Sequence, residues 1–268
     1  MRLATVERDG GHTVAALQTR AGYAAIDGAS LFDLVGANAG EVARRAAAAE
    51  SIAGQARPVA PWIRAGKIVG IGLNYADHAR DLDAPLPTEP ATFLRPTTAV
   101  TGPGDAIRLP PQSKQVTAEA ELGLVIGCRC RNISVTDAAS VVFGYVSIID
   151  VTAEDILKRN PRFLTRSKSF DSFFQWGPVV ITCDEVADVN ALEVKTVVNG
   201  EVKAQNTVAH MTFGPFELVS FLSHEMTFEP GDVISTGTPG AAPIHAGDTV
   251  SCEISGFPTL RAPVQRDA

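Results

Sequence analysis

The stretch Thr117–Gly127, TAEAELGLVIG, places two acidic residues inside a run that otherwise reads as a strand. Side chains in a strand alternate between its faces, so residues two apart point the same way. Val116, Ala118, Ala120, Leu122, Leu124 and Ile126 then form an apolar face, while Thr117, Glu119, Glu121, Gly123 and Val125 form the other. Two like charges side by side repel unless water or a cation lies between them. On their own, Glu119 and Glu121 read as a solvated face. With a third carboxylate they become a candidate metal site.

That third carboxylate is Asp150, where the apolar run VVFGYVSIID stops. Thr152 and Asp155 follow at capping-box spacing, which predicts a helix starting there. Asp150 is then either an acid favoured by the dipole of a helix N-terminus or a ligand held at a strand end. Three carboxylates with no His or Cys make a hard, oxygen-rich set. It suits Mg²⁺ or Mn²⁺, with Ca²⁺ admitted by the same oxygens, rather than Zn²⁺. Such an ion keeps positions open for the paired oxygens of a 1,3-dicarbonyl or 2-oxo acid, and as a Lewis acid stabilises enolate charge.

A base is needed next. His78, in GIGLNYADHARDL, lies one turn before Asp81, so on a helix the two share a face and the carboxylate orients the imidazole. Such a pair taken alone also forms as an ordinary surface ion pair. His12, His210, His224 and His245 have no comparable setting and are read as structural or surface residues. Lys168, in RSKSFDSFFQWGP, is either a solvated lysine or one placed in an apolar pocket to offset a carboxylate or enolate. The loop Thr236-Gly237-Thr238-Pro239-Gly240 can bring backbone N–H groups onto an anion, although no Gly-Lys-Ser/Thr follows to make it a P-loop.

The elements that must position these groups follow from turn signals and periodicity. MRLATVERDGGHTVAALQ reads as two strands joined around Asp9-Gly10-Gly11, and GEVARRAAAAESIAGQA as an alanine-rich helix ending near Gly54. RPVAPWIRAG, with Pro58 and Pro61, reads as a linker. These features divide the chain into a small unit over residues 1–60 and a larger one over 61–268. From Lys67 the runs KIVGIGL, AELGLVIG, VVFGYVSIID, GPVVIT, EVKTVVNG and DVISTGT alternate with Gly/Pro/Asp turns, predicting a strand-rich, twisted or barrel-like body. Helical interruptions are expected around Thr152–Lys158 and Phe216–His224.

Composition narrows the function classes. A formal net charge of -7 over 268 residues, without a long basic run, argues against a nucleic-acid partner. No segment approaches the roughly 18 consecutive apolar residues of a membrane span. The start lacks the apolar core of a secretory signal. Cys128, Cys130, Cys183 and Cys252 are scattered, as befits free thiols in a reducing cytoplasm.

The order of the motifs GLNYADH, the Glu119-x-Glu121 pair with ELGLVIG, GYVSIIDVTAED, KSFDSFFQWGP, VNGE with Gln205, and PGDVISTGTPG resembles the fumarylacetoacetate hydrolase (FAH) family over roughly Lys67 to Val264. The resemblance implies an α+β, β-rich fold: a mixed β-roll catalytic domain, usually homodimeric, with a smaller N-terminal α/β domain in many members. It also implies a Mg²⁺ or Mn²⁺ site on Glu119, Glu121 and Asp150, with His78 and Asp81 activating water. Lys168, Tyr75, Arg95, Glu154 and Thr238 then fall at positions facing a small-molecule 2-oxo or β-dicarbonyl acid. Three departures stand out. Asp81 replaces the family glutamate; where the family reads S-A-R-D-x-Q, Glu154 replaces the arginine and Leu157 the glutamine; and Arg95 stands where a lysine is common. The implied activity is hydrolysis of a carbon–carbon bond in an acylpyruvate-like acid. The alternative is decarboxylation or keto–enol tautomerisation of a 2-oxo acid such as oxaloacetate. A third reading is a catalytically silent, metal-holding binding protein.

Overall fold

Val116–Ile126 is one strand of eleven residues, all of them buried. The computed structural model describes residues 1–63, 66–81, 83 and 85–267, the Asp81 side chain excepted. The alternation expected of this central strand holds. Ala118, Ala120, Leu122 and Leu124 pack into a core with Val194, Val250, Cys252, Ile254 and Leu260. Val125, on the opposite face, joins a second core with Val146, Ile148, Phe174 and Trp176. A strand covered on both faces exposes no polar row, which explains its near-continuous apolar composition.

The central strand pairs antiparallel with Val142–Ala153 on one side and with Val233–Ser235 and Ala241–Ile244 on the other. The sheet has thirteen strands and runs from Glu50–Ser51 at one edge to Ala91–Leu94 at the other. A second sheet orders Glu201–Thr207, Glu193–Val198, Thr249–Ile254, Leu260–Arg266 and Ile107–Leu109, and supplies the opposite wall of the first core. All six apolar runs read from the sequence lie on strands. The architecture is the β-rich α+β fold expected.

The N-terminal hairpin forms as Arg2–Arg8 and Thr13–Thr19. Its first strand also pairs with Phe174–Thr182, so the hairpin extends the same sheet that carries the acidic residues. Three local expectations are corrected. The alanine-rich helix, capped by Asn38, ends at Ala47 instead of near Gly54. Beyond it, Glu50–Ser51 pairs with Ala24 and Ala25, and edge pairing overrides helix propensity. The segment read as a linker is docked: Ala56–Pro58 pairs with Val6–Arg8, and Trp62 donates to the Gly231 carbonyl at 3.2 Å. The capping box at Thr152 does not form. Thr152 remains in the strand, and the helix Glu154–Arg159 starts without a side-chain cap. The second helix, Pro215–Glu225, buries Leu218, Val219 and Leu222 near its expected position. Among the described residues no helix is long and apolar enough to cross a membrane, and the four cysteines are free.

Candidate metal centre

Strand register assembles the acidic residues. Glu119 lies directly opposite Asp150, and Phe174 is the partner of Asp150 on the next strand. Directly opposed residues on antiparallel strands place their Cβ atoms about 5 Å apart. Glu121, two residues along, points from the same face. One oxygen from each of Glu119, Glu121 and Asp150 lies within 4.8 Å of the others, and all three side chains are buried. Burial excludes the solvated face that the glutamates alone suggested.

Each carboxylate has its own partners. Glu119 accepts from the Thr152 hydroxyl at 2.7 Å and from Lys168 Nζ at 3.1 Å. Glu121 accepts from the Ser235 hydroxyl and from the Gly237 N–H at 2.9 Å. Asp150 Oδ1 is shared between Arg95 and Lys168 Nζ, the latter at 3.0 Å. The other oxygen of Asp150 is buried with no protein partner.

Two cations, Arg95 and Lys168, therefore face three carboxylates, and the imbalance appears in their titration. Burial raises the Glu119 pKa, but Lys168, His78 and the Thr152 hydroxyl outweigh it and hold this carboxyl below the usual glutamate range. Burial and the charge of Asp150 push Glu121 up to about 8. Burial works against the charge on Lys168, but Asp150 and Glu119 more than compensate, and the ammonium is kept protonated. The hard donor set, the orphaned Asp150 oxygen and a third carboxyl whose proton a cation can displace all fit a divalent cation.

The other candidate residues differ in their settings. His78 is buried on the short helix Ala76–Asp81, close enough to Glu119 to lower the pKa of that carboxyl. The Asp81 side chain, expected to steer it, lies outside the described residues. Tyr75 is fully buried with an unpartnered hydroxyl, and burial followed by the charge of Glu121 raises its pKa, keeping it protonated. The two terminal nitrogens of Arg95 donate to Asp150 and to the carbonyls of Lys168 and Phe173, while its Nε is buried without a partner. Glu154 opens its helix and pairs with Lys158 at 3.6 Å. The Thr238 hydroxyl donates to the Gly240 carbonyl at 3.0 Å. The Gly-rich loop does bring an N–H onto an acidic side chain, that of Glu121.

Ser235 gave no isolated sequence signal, and Thr152 was read only as a helix cap; both meet the acidic cluster through register. Asn74 stood inside GLNYADH, and its amide donates to Phe213 and Thr236 carbonyls while its oxygen accepts from the Phe213 N–H. It thereby ties the start of the His78 helix to the loop that binds Glu121.

A family comparison matches residues 67–265 to the fumarylacetoacetate (FAA) hydrolase C-terminal domain. The chain belongs to the fumarylacetoacetate hydrolase family. It is 38% identical over 231 residues to a mitochondrial oxaloacetate tautomerase of Homo sapiens, covering 80% of this chain and 72% of that protein. A 5-carboxymethyl-2-hydroxymuconate delta-isomerase from Mycobacterium smegmatis superposes with a TM-score of 0.80 at 32% identity, covering 100% of both chains. Maleylpyruvate hydrolase from Sphingobium sp. SYK-6, solved with manganese(II) and pyruvate, superposes at 0.85 with 26% identity, again over 100% of both chains.

Proposed function

We propose that this protein is a divalent-metal-dependent enzyme of enolate chemistry, and that it interconverts the keto and enol forms of a 2-oxo diacid of the oxaloacetate type. The observation that carries the reading is the buried Glu119–Glu121–Asp150 cluster, in which Lys168 meets Asp150 Oδ1 and Oδ2 is left without a protein partner. The oxaloacetate tautomerase relative favours tautomerisation among the reactions such a site can serve. The catalytic unit we assign to residues 61–268, with residues 1–60 as a small N-terminal domain, and the working form to a cytoplasmic homodimer.

Glu119, Glu121 and Asp150 would hold a Mg²⁺ or Mn²⁺ ion, which would supply Lewis acidity to the site. Lys168 offsets the negative charge that develops on the substrate oxygens. His78 takes the proton from the carbon between the two carbonyls; the C–H electron pair becomes the new carbon–carbon double bond, the ketone π pair moves onto its oxygen, and His78 returns the proton there. Tyr75, held protonated, donates a hydrogen bond into the site. Thr238 and Arg95 shape the site through backbone and carboxylate contacts, and Glu154 sets a negative charge at its margin.

Hydrolysis of an acylpyruvate is the second reading, favoured by the likeness to maleylpyruvate hydrolase and by a buried histidine able to activate water. Parallel assays separate the two. With Mn²⁺ present, oxaloacetate enol absorbance should decay far faster with enzyme than without, with no carboxylic acid pair released from an acylpyruvate. Release of such a pair with no effect on oxaloacetate would replace tautomerisation by hydrolysis. Inertness toward both would leave a binding protein.

A further inference from the structure

Arg95 follows the strand Ala91–Leu94, and its side chain is completely buried. One terminal nitrogen donates to Asp150 Oδ1. The other donates to the Lys168 carbonyl and, at 3.3 Å, to the Phe173 carbonyl. The rings of Phe93 and Phe174 each lie 5.4 Å from the guanidinium carbon. Phe93 itself is seated over Gly70, where an added Cβ would stand only 2.6 Å from ring atom Cε2. The guanidinium is thus fixed by aromatic rings and by its planar fork.

Both buried cations are spent on the same oxygen of Asp150. Oδ1 meets Arg95 and Lys168, while Oδ2 is buried without a partner. With one oxygen gripped, the other is the Asp150 atom left unpaired by the protein. We infer that Arg95 is a positioning residue of the metal centre: it selects the Asp150 oxygen that faces the cation and anchors the backbone from which Lys168 reaches the site. This inference rests on the metal-dependent reading above.

Two effects of Arg95 on cation affinity oppose each other. Its charge repels a divalent ion, while its fork holds Asp150 in one orientation. The repulsion is largely offset, because the guanidinium is in contact with an Asp150 oxygen. Without the fork, Asp150 is free to rotate and present either oxygen to Lys168. Orientation is therefore the larger effect, and removing the fork weakens metal binding. Lysine isolates it, since Arg95→Lys keeps the charge and loses the planar two-pronged geometry.

The test is Mn²⁺ titration of wild type, Arg95→Lys and Arg95→Ala, read by calorimetry and by the resonance signal of free Mn²⁺, with metal-free melting recorded for each. Failure of the wild type to bind Mn²⁺ would sink the metal reading itself. If wild type binds, Arg95→Lys should bind at least about tenfold more weakly, the scale of losing a group that orients a ligand. Millimolar guanidinium should restore affinity to Arg95→Ala, and methylammonium should not. Equal affinity in wild type and a folded Arg95→Lys overturns the proposal. If neither Arg95 variant folds, Phe174→Leu loosens the clamp while keeping every donor. Weaker Mn²⁺ binding by that variant supports the proposal, and unchanged binding overturns it.

Discussion

At the level of single residues, Glu121 and His78 make separable predictions. The folded protein without metal holds a proton on Glu121 up to about pH 8, whereas an unfolded glutamate releases it near ~4.3. Between these values the folded state binds the extra proton. The stability linked to this group is therefore complete below the unfolded value and is lost as pH rises through about 8. Metal-free wild type should melt at progressively lower temperature as pH rises through neutrality, and Glu121→Gln should flatten that slope. Because a cation must displace the same proton, Mn²⁺ affinity should rise with pH, and calorimetry in buffers of different ionisation enthalpy should register proton release. A pH-independent affinity would contradict this. For His78, substitution by Ala should lower turnover on oxaloacetate by about 10²–10⁴-fold, the usual contribution of a general base. Mn²⁺ affinity should be nearly unchanged, since the carboxylates remain. Unaltered turnover would remove His78 from the reaction.

At the level of elements, the acidic cluster was legible in part. Period-two alternation put Glu119 and Glu121 on one face, but only pairing register could set Asp150 directly opposite Glu119. A single strand's pattern says nothing about which residue stands across from it. The Thr152 error has the same origin: hydroxyl and carboxylate spacing suggested a local cap, while the hydroxyl was drawn across the sheet to Glu119. The alanine-rich helix was overextended because its last residues obey an edge strand. The Gly-rich loop offers a test of element geometry. Gly237 has φ +95°, and an added Cβ would stand 2.8 Å from Asn74 Cβ and 3.2 Å from the Ile71 carbonyl. Gly237→Ala should cost about 1–3 kcal/mol of stability through strain and crowding. It should also weaken Mn²⁺ binding, because its N–H holds Glu121. Gly256 also has positive φ but open space around it, so Gly256→Ala should lower the melting temperature without changing Mn²⁺ affinity. Equal effects of the two substitutions on metal binding would refute the loop's role.

For the whole molecule, the sheet decides how the N-terminal residues relate to the metal centre. The proline-bearing segment suggested a boundary near residue 60; across it, the strand Arg2–Arg8 pairs with Phe174–Thr182, which also pairs with the strand bearing Asp150. Two strand pairings thus separate the N-terminal hairpin from Asp150 of the acidic cluster. The shared core reinforces the link: Leu3, Leu31, Leu34 and Val42 pack in one cluster with Trp62, Phe174, Trp176 and Val180. Removing residues 1–60 would uncover those aromatic side chains and unpair the edge of Phe174–Thr182. Each large apolar side chain newly exposed costs about 1.5–3 kcal/mol, and an uncapped edge invites intermolecular pairing. Against a typical total stability of about 5–15 kcal/mol, the loss is too large for the remainder to absorb. The fragment 61–268 should therefore be recovered largely as aggregate, and added Mn²⁺ should not restore a cooperative melting transition. Co-expression with a separate 1–60 chain should partly recover solubility by re-covering the same edge. A monodisperse 61–268 fragment with wild-type Mn²⁺ affinity would show instead that Phe174–Thr182 holds Asp150 in place without its outer neighbour.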